Sequence, residues 1–239
     1  MYPSLKKNRI MFFDVETTGL LPNRAEDFIP DPSQIATYPH ILQLSFILFN
    51  LVTRTVDYHS DAYIRPPPDV VVSPFITGKT GITREICDAK GVRIDDALRH
   101  FHSAYMMCDT IVSHNLAFDT GMIRVEQLRN NRHFDTFSPA VLRMFNPIYD
   151  DINGISHFCT MKATVDLCDI TVPRKNGKGV YKKWPTLEEL YKHLFSQTPT
   201  NLHNSIVDSL VGLRCYLKVR HDYDMTDCEF ERLTAKYLT

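Results

Sequence analysis

The sequence predicts an α/β fold with a central mixed five-stranded sheet flanked by helices, and two patterns carry that expectation. Three short strand-like runs, Ile10 to Asp14, Ile41 to Phe49 and Thr53 to Ile64, follow one another closely. Consecutive strands usually pair with their neighbours, so these three read as an antiparallel meander. After them helical and strand-like segments alternate, which adds two further strands and makes the strand directions mixed.

The elements can be justified in order. Ile10 to Asp14 is an apolar run that ends at a carboxylate, the mark of a buried strand. Leu20 to Pro39, rich in Pro, Asp and Asn, reads as a long loop. Pro66, Pro67 and Pro68 end the meander, because proline cannot donate to a ladder. Thr83 to Ala89 is a short helix with Thr83 as N-cap and Gly91 as terminator. Arg93 to Met107 carries apolar residues at helical spacing. Thr110 to Ser113 is a strand, Ala117 to Asn130 a helix, and Asp135 to Ile155 an irregular insertion. His157 to Met161 supplies the fifth strand. Met161 to Cys168, Leu187 to Phe195, His203 to Val219 and Thr226 to Leu238 read as helices. With no repeat, low-complexity tract or linker, the expectation is one domain over 1–239, with a core over 10–219 and a C-terminal helix at 226–238.

Composition bounds the function. The 239 residues can bury a sizeable core without disulfides. Lys plus Arg is 27 and Asp plus Glu is 28, a net charge of −1, so no global basic field advertises a nucleic-acid partner. Such a partner must be held by local charge or by bound metal. The six cysteines form no C-x-x-C and read as free thiols of a reducing compartment. Lys6, Lys7 and Arg9 lead straight into the first strand, against a signal peptide. The most apolar stretch, Ile41 to Val52, contains Gln43, Ser45 and Asn50 and is too short to span a bilayer. These points predict a soluble intracellular protein, cytoplasmic or nuclear, with no membrane partner; oligomeric state is left open.

The chemistry lies in three segments. Asp14 and Glu16 are two apart on a strand and project from one sheet face. Adjacent carboxylates raise each other's pKa unless a cation lies between them, and hard oxygen ligands suit Mg²⁺ or Mn²⁺. The pair ends a buried strand, where open α/β sheets bind ligands. Asp119 follows a short strand and opens a helix, a position that also suits a simple helix-end carboxylate. His203 and Asp208 lie five residues apart, a rotation of about 140° in a helix. Both reach one site only if His203 sits at the entry turn rather than inside the helix.

These segments resemble the three motifs of the DEDDh 3′–5′ exonucleases, a DnaQ-like family that includes the proofreading epsilon subunit of bacterial DNA polymerase III and oligoribonuclease. The motifs are D-x-E at Asp14 and Glu16, an H-N-x-x-F-D-like element from His114 to Asp119, and H-x(4)-D from His203 to Asp208. Lys79 to Thr83, Cys159 to Met161 and Trp184 to Tyr191 resemble the family's intervening segments. Cys159 stands where Asp is common, and the connection from Asp135 to Ile155 is longer than usual. The resemblance implies a ribonuclease H-like fold and two divalent metal ions, Mg²⁺ or Mn²⁺, held by Asp14, Glu16, Asp119 and Asp208 with Asp14 bridging. It implies His203 as general base and nucleoside 5′-monophosphates as product. It also implies that Thr17, Thr18, Gly19 and Leu20 line the terminal-nucleotide pocket, that Leu20 and Ile82 offer apolar contacts to a base, and that Asn115 supports the site.

The implied partner is DNA or RNA with a free 3′ end, with a polymerase, replication or repair assembly as a possible context. DNA is the leading substrate, and an exoribonuclease of the same fold is the alternative. A nucleic-acid-binding subunit that has lost catalysis would show a broken acidic set, and all five positions are present. Arg174, Lys175, Lys178, Lys182 and Lys183 form a basic run with no acidic residue between them. It reads as a solvated loop or, functionally, as Arg174 and Lys175 contacting phosphates upstream of the scissile end.

Overall fold

The computed structural model describes residues 7–22, 28–174 and 177–237. The chain runs through β1 (Arg9–Thr17), a 3₁₀ turn (Pro32–Thr37), β2 (Ile41–Asn50) and β3 (Thr55–Tyr63). Three helices follow: α1 (Pro74–Thr80), α2 (Arg84–Lys90) and α3 (Ile94–Tyr105). Next come β4 (Thr110–Ser113), α4 (Leu116–Arg129), α5 (Asn131–Phe137), a 3₁₀ turn (Val141–Arg143) and α6 (Pro147–Ile152). Then come β5 (Ser156–Cys159), α7 (Thr160–Ala163), α8 (Val165–Cys168), β6 (Thr171–Pro173) and β7 (Val180–Lys182). The chain continues with α9 (Leu187–Phe195), α10 (Ser205–His221) and α11 (Asp227–Tyr237).

The main sheet has the order β3-β2-β1-β4-β5. β1, β2 and β3 pair antiparallel, as the sequence predicts, and the two further strands, β4 and β5, add in parallel. This is a ribonuclease H-like fold. β1 separates the two faces by alternation. Met11, Phe13 and Val15 face a core shared with α3 and α4, while Ile10 and Phe12 face one shared with α9 and α10.

The approach of α10 to β1 sets the site. A Cβ placed on Gly212 would lie 2.1 Å from Cζ of Phe12, so only glycine permits this contact. Asp208 is one helical turn before Gly212, a rise of about 6 Å. Asp14 is two residues beyond Phe12 on the same strand face, a rise of about 6.8 Å. The two steps nearly match, so seating Gly212 on Phe12 carries Asp208 toward Asp14 and Glu16. Polar contacts hold the entry to α10. Ser205 N–H donates to Oε1 of Gln43 at 3.3 Å, and the Ser205 and Ser45 hydroxyls are hydrogen-bonded. Gln43 and Ser45 also donate to Asp61 on β3, at 2.8 and 2.6 Å.

Several expectations are corrected. The insertion expected to be irregular folds into short helical turns, with Val141, Met144, Phe145 and Ile155 buried. The Tyr105 hydroxyl ties it down by donating to Asp150 and accepting from Phe145 N–H at 3.1 Å. Its elements are too short to display a helical period. Helix α1 was not expected so soon after the proline run, although Ser73 caps it, Pro74 occupies its first turn and Gly81, at φ 73°, ends it. The helix expected over Met161 to Cys168 is broken at Thr164. The basic loop includes a two-stranded hairpin, β6–β7, with Gly177 and Gly179 at positive φ between the strands.

Gly212→Ala should destabilise the protein by about 1–3 kcal/mol through overpacking against Phe12. Equilibrium urea denaturation measures it, and an unchanged midpoint would contradict the contact.

Candidate active site

Asp14 and Glu16 stand on the α10 side of β1, opposite Ser45 and Gln43 in the β1–β2 register. Pairing of β1 with β4 ends at Phe12–Val112, so the backbone of Val15 is released from that ladder. Its N–H donates to Oδ1 of Asp119 at 3.3 Å, and the Ser113 hydroxyl donates to Oδ2. Asp119 is thereby fixed beside β1, and it is only 2% exposed. Asn115, at φ 80°, makes the sharp turn from β4 into α4 that allows this. Asp119 and Asp208 both lie in the first turns of their helices, where the helix dipole favours negative charge.

His203 precedes α10, as the rotation argument requires. Asn204 caps the helix by accepting from Ile206 N–H, and His203 is held at φ 69°. The His203 N–H donates to Oδ2 of Asp208 at 3.0 Å. Ligand atoms of Glu16, His203 and Asp208 all lie within 4.8 Å of one another. Oδ1 of Asp208 is buried with no hydrogen-bond partner among the described residues. A buried carboxylate oxygen without a donor is costly, and a cation is the group that would satisfy it here. The residues present therefore fit a metal ion.

The electrostatics point the same way. Burial raises the Asp119 carboxyl to about 8. It raises Glu16 and Asp208 to about 7, with the charge of Asp208 adding to the rise at Glu16 and Lys79 opposing it at both. Asp14 is pushed well above the usual carboxylate range by burial and then by Asp119, Asp208 and Glu16. Desolvation, with Lys79, lowers the His203 imidazole below its ordinary value, against the pull of Glu188.

The other expected site residues fall in different places. Thr17 is buried and its hydroxyl donates to Gly19 O at 2.6 Å. Thr18 exchanges hydrogen bonds with His40: its N–H donates to His40 O, and its hydroxyl accepts from His40 N–H, both at 2.9 Å. Leu20, beyond Gly19, projects into solvent at 66% exposure. Ile82, expected to touch a base, is instead packed with Leu42, Ile76 and Cys87. Its side chain supports the segment from inside and presents no surface to a ligand. Arg174 lies over the ring of Tyr181 on the hairpin, and Lys175 is outside the described residues. The basic run is less free than its sequence suggests. Lys182 pairs with Asp166 and Asp169, each at 2.8 Å, and Lys183 pairs with Glu189.

Sequence reasoning missed Lys79 and Glu188, whose charges reach His203, and the supporting pair Gln43 and Ser45. His114, which opens the H-N-x-x-F-D-like element, is a hydrogen-bonded supporting residue at the end of β4. Nε2 of His114 lies 3.0 Å from Pro185 O, and Nδ1 lies 3.0 Å from the Thr160 hydroxyl. Burial pushes this imidazole down to about 4, so the ring is neutral at pH 7. A carbonyl only accepts, so Nε2 carries the proton and Nδ1 is left as an acceptor facing the Thr160 hydroxyl, whose proton is shared with Ser113 O at 3.3 Å. His114 thus ties the end of β4 to α7 and to the segment before α9.

Residues 11–216 match the RNase T family, described as exonuclease. The chain belongs to this exonuclease family. Its fold is similar to that of exonuclease I, at TM-score 0.60 and 18% identity over 95% of this chain and 43% of that one. E. coli exonuclease I in complex with a dT13 oligonucleotide matches at TM-score 0.58 and 18% identity, covering 97% of this chain and 44% of that one. The nuclease domain of 3′hExo, a DEDDh family member bound to rAMP, matches at TM-score 0.57 and 16% identity, over 93% and 94% of the two chains. The chain thus spans less than half the length of the exonuclease I chains and nearly all of the 3′hExo domain. At these identities the likenesses establish the fold. No curated protein sequence matches. No helix among the described residues is long and apolar enough to cross a membrane.

The raised carboxyl pKa values make a pH prediction. Between the unfolded values near 4 and the folded values of about 7–8, the folded state retains protons that the unfolded state has lost. These groups therefore lower stability as pH rises through that window, and the penalty is complete above it. A cation that replaces the protons relieves the penalty. The rise in Tm on adding Mn²⁺ should be larger at pH 8 than at pH 5.5, and Asp208→Asn should reduce it. A shift independent of pH would contradict the cluster as the metal site.

Proposed function

We propose that this exonuclease is metal-dependent and hydrolyses DNA from the 3′ end, releasing nucleoside 5′-monophosphates. The observation that carries the reading is the convergence of Glu16, His203 and Asp208 within 4.8 Å, with Asp14 close enough to feel the charges of Asp119, Asp208 and Glu16, and Asp119 that of Glu16. Two Mg²⁺ or Mn²⁺ ions, held by Asp14, Glu16, Asp119 and Asp208, would supply Lewis-acid charge at the scissile phosphate.

The chain's own groups do the rest. His203 is exposed and its lowered pKa keeps it neutral at pH 7, so it can accept a proton from an attacking water. The water oxygen bonds to phosphorus, and the bond to the 3′ oxygen of the preceding nucleotide breaks. The turn from Thr17 to Leu20 follows Glu16 directly and would receive the terminal nucleotide, with Leu20 offering apolar surface to its base. Asn115 would support the site through its turn, and Arg174 and Lys175 would meet phosphates further upstream. A second reading, an exoribonuclease, is favoured by the rAMP bound to the structurally similar 3′hExo domain.

End-labelled strands test polarity and sugar together. With Mg²⁺, 3′-labelled DNA should release labelled mononucleotide at once, while 5′-labelled DNA shortens stepwise. Faster loss of RNA would replace the DNA reading with the second one. Asp14→Ala should abolish cleavage. His203→Ala should slow it by roughly 10²–10⁴-fold, the range for a lost general base, while keeping the Mn²⁺-induced Tm rise. Full activity in the His203 variant would overturn its role.

A further inference from the structure

Trp184, the only tryptophan of the chain, stands 52% exposed. Its place is not arbitrary. The next residue, Pro185, is bound through its carbonyl to His114, the neighbour of Asn115 at the end of β4. Four residues on, Glu188 is close enough to His203 to influence its proton affinity. Trp184 therefore sits on a segment that runs along the rim of the candidate active site.

A cation accompanies the ring. Nζ of Lys162, on α7, lies 5.6 Å from the Trp184 ring centroid. The same pairing recurs nearby on β7, where Tyr181 is 44% exposed and the Arg174 guanidinium lies 5.7 Å from its ring. The arm that carries both rings is anchored. Lys183 N–H donates to Ile170 O at 2.9 Å, and Lys182 and Lys183 are paired with acidic groups of the body. Lys182 and Lys183 thus hold the arm in place, while Tyr181 and Trp184 face water. Exposed aromatics with adjacent cations, on a preformed arm beside a nuclease site, are the components that hold single strands. Bases stack on the rings, and the cations attract the phosphates.

We propose that Trp184 and Tyr181, each with its cation, form a stacking platform for unpaired bases upstream of the scissile 3′ end. This rests on the exonuclease reading of the neighbouring site and adds to it a binding surface outside the catalytic cluster, one that grips unpaired bases without base preference. A duplex hides its base faces in its own stack, so the platform would favour an unpaired end over a blunt one.

The test uses the full chain carrying Asp14→Asn, so that the strand survives, and two labelled probes. One is an oligothymidylate. The other is the same strand with its internal nucleosides replaced by abasic sites, which keeps the phosphates. Trp184→Ala should weaken oligothymidylate binding by roughly 5–150-fold, the range for one lost stacked base, and Tyr181→Ala should act in the same direction. Trp184→Phe should retain most of the affinity. Neither alanine variant should change binding of the abasic strand. Because Trp184 is the only tryptophan, its emission should be quenched by oligothymidylate and not by the abasic strand.

Unchanged affinity in both alanine variants, or an equal loss on the abasic strand, would overturn the platform. The catalytic reading is tested apart from it. The unaltered protein with Mn²⁺ should release 4-nitrophenol from thymidine 5′-(4-nitrophenyl phosphate), which has no upstream bases. Failure there would sink the catalytic reading alone, and unchanged binding by both alanine variants would sink the platform alone.

Discussion

The site depends on one close contact, that of Gly212 in α10 against the ring of Phe12 in β1. A side chain at position 212 would have to displace the Phe12 ring or part the helix from the strand. With glycine there, one turn of helix and two residues of strand advance by nearly the same distance. Asp208 on the helix and Asp14 on the strand are then drawn into one neighbourhood. Ser205, hydrogen-bonded to Gln43 and Ser45, stops the helix from sliding along the strand. The packing is apolar, but its consequence is electrostatic.

That consequence opposes the fold. Carboxylates from three separate segments are brought together away from water, and each raises the cost of ionising the others. Two features offset part of the cost: the helix N-termini beneath Asp119 and Asp208, and Lys79 facing Glu16, Asp208 and His203. Asp119 gains further from Ser113 and Val15 N–H. Oδ1 of Asp208 gains nothing comparable among the described residues. A cation bound beside it would satisfy that oxygen.

Much of this was legible in the sequence because the signals were local. Apolar runs marked the strands, and D-x-E on a strand places both carboxylates on one face. The spacing of His203 and Asp208 required an entry-turn histidine, and the left-handed backbone at His203 meets that requirement. What stayed hidden had short or spatial causes. The turns between Asn131 and Ile152 are too brief to show a period, and they fold because Tyr105 and buried aromatics hold them. The neutralisation of Lys182 and Lys183 depends on Asp166, Asp169 and Glu189, which lie outside the run in sequence and beside it in space. Ile82 fits either a base contact or packing under the loop as far as its sequence goes, because a single apolar residue in a loop does not reveal which side faces inward; the structure packs it inside.

The central claim is that the four carboxylates form one cation site. The most direct measurement is an anomalous difference map from crystals of this protein soaked in Mn²⁺. The account predicts strong density enclosed by Asp14, Glu16, Asp119 and Asp208, resolving into two ions about 4 Å apart when a nucleotide is bound. Density elsewhere only, or carboxylates turned away from a common point, would contradict it.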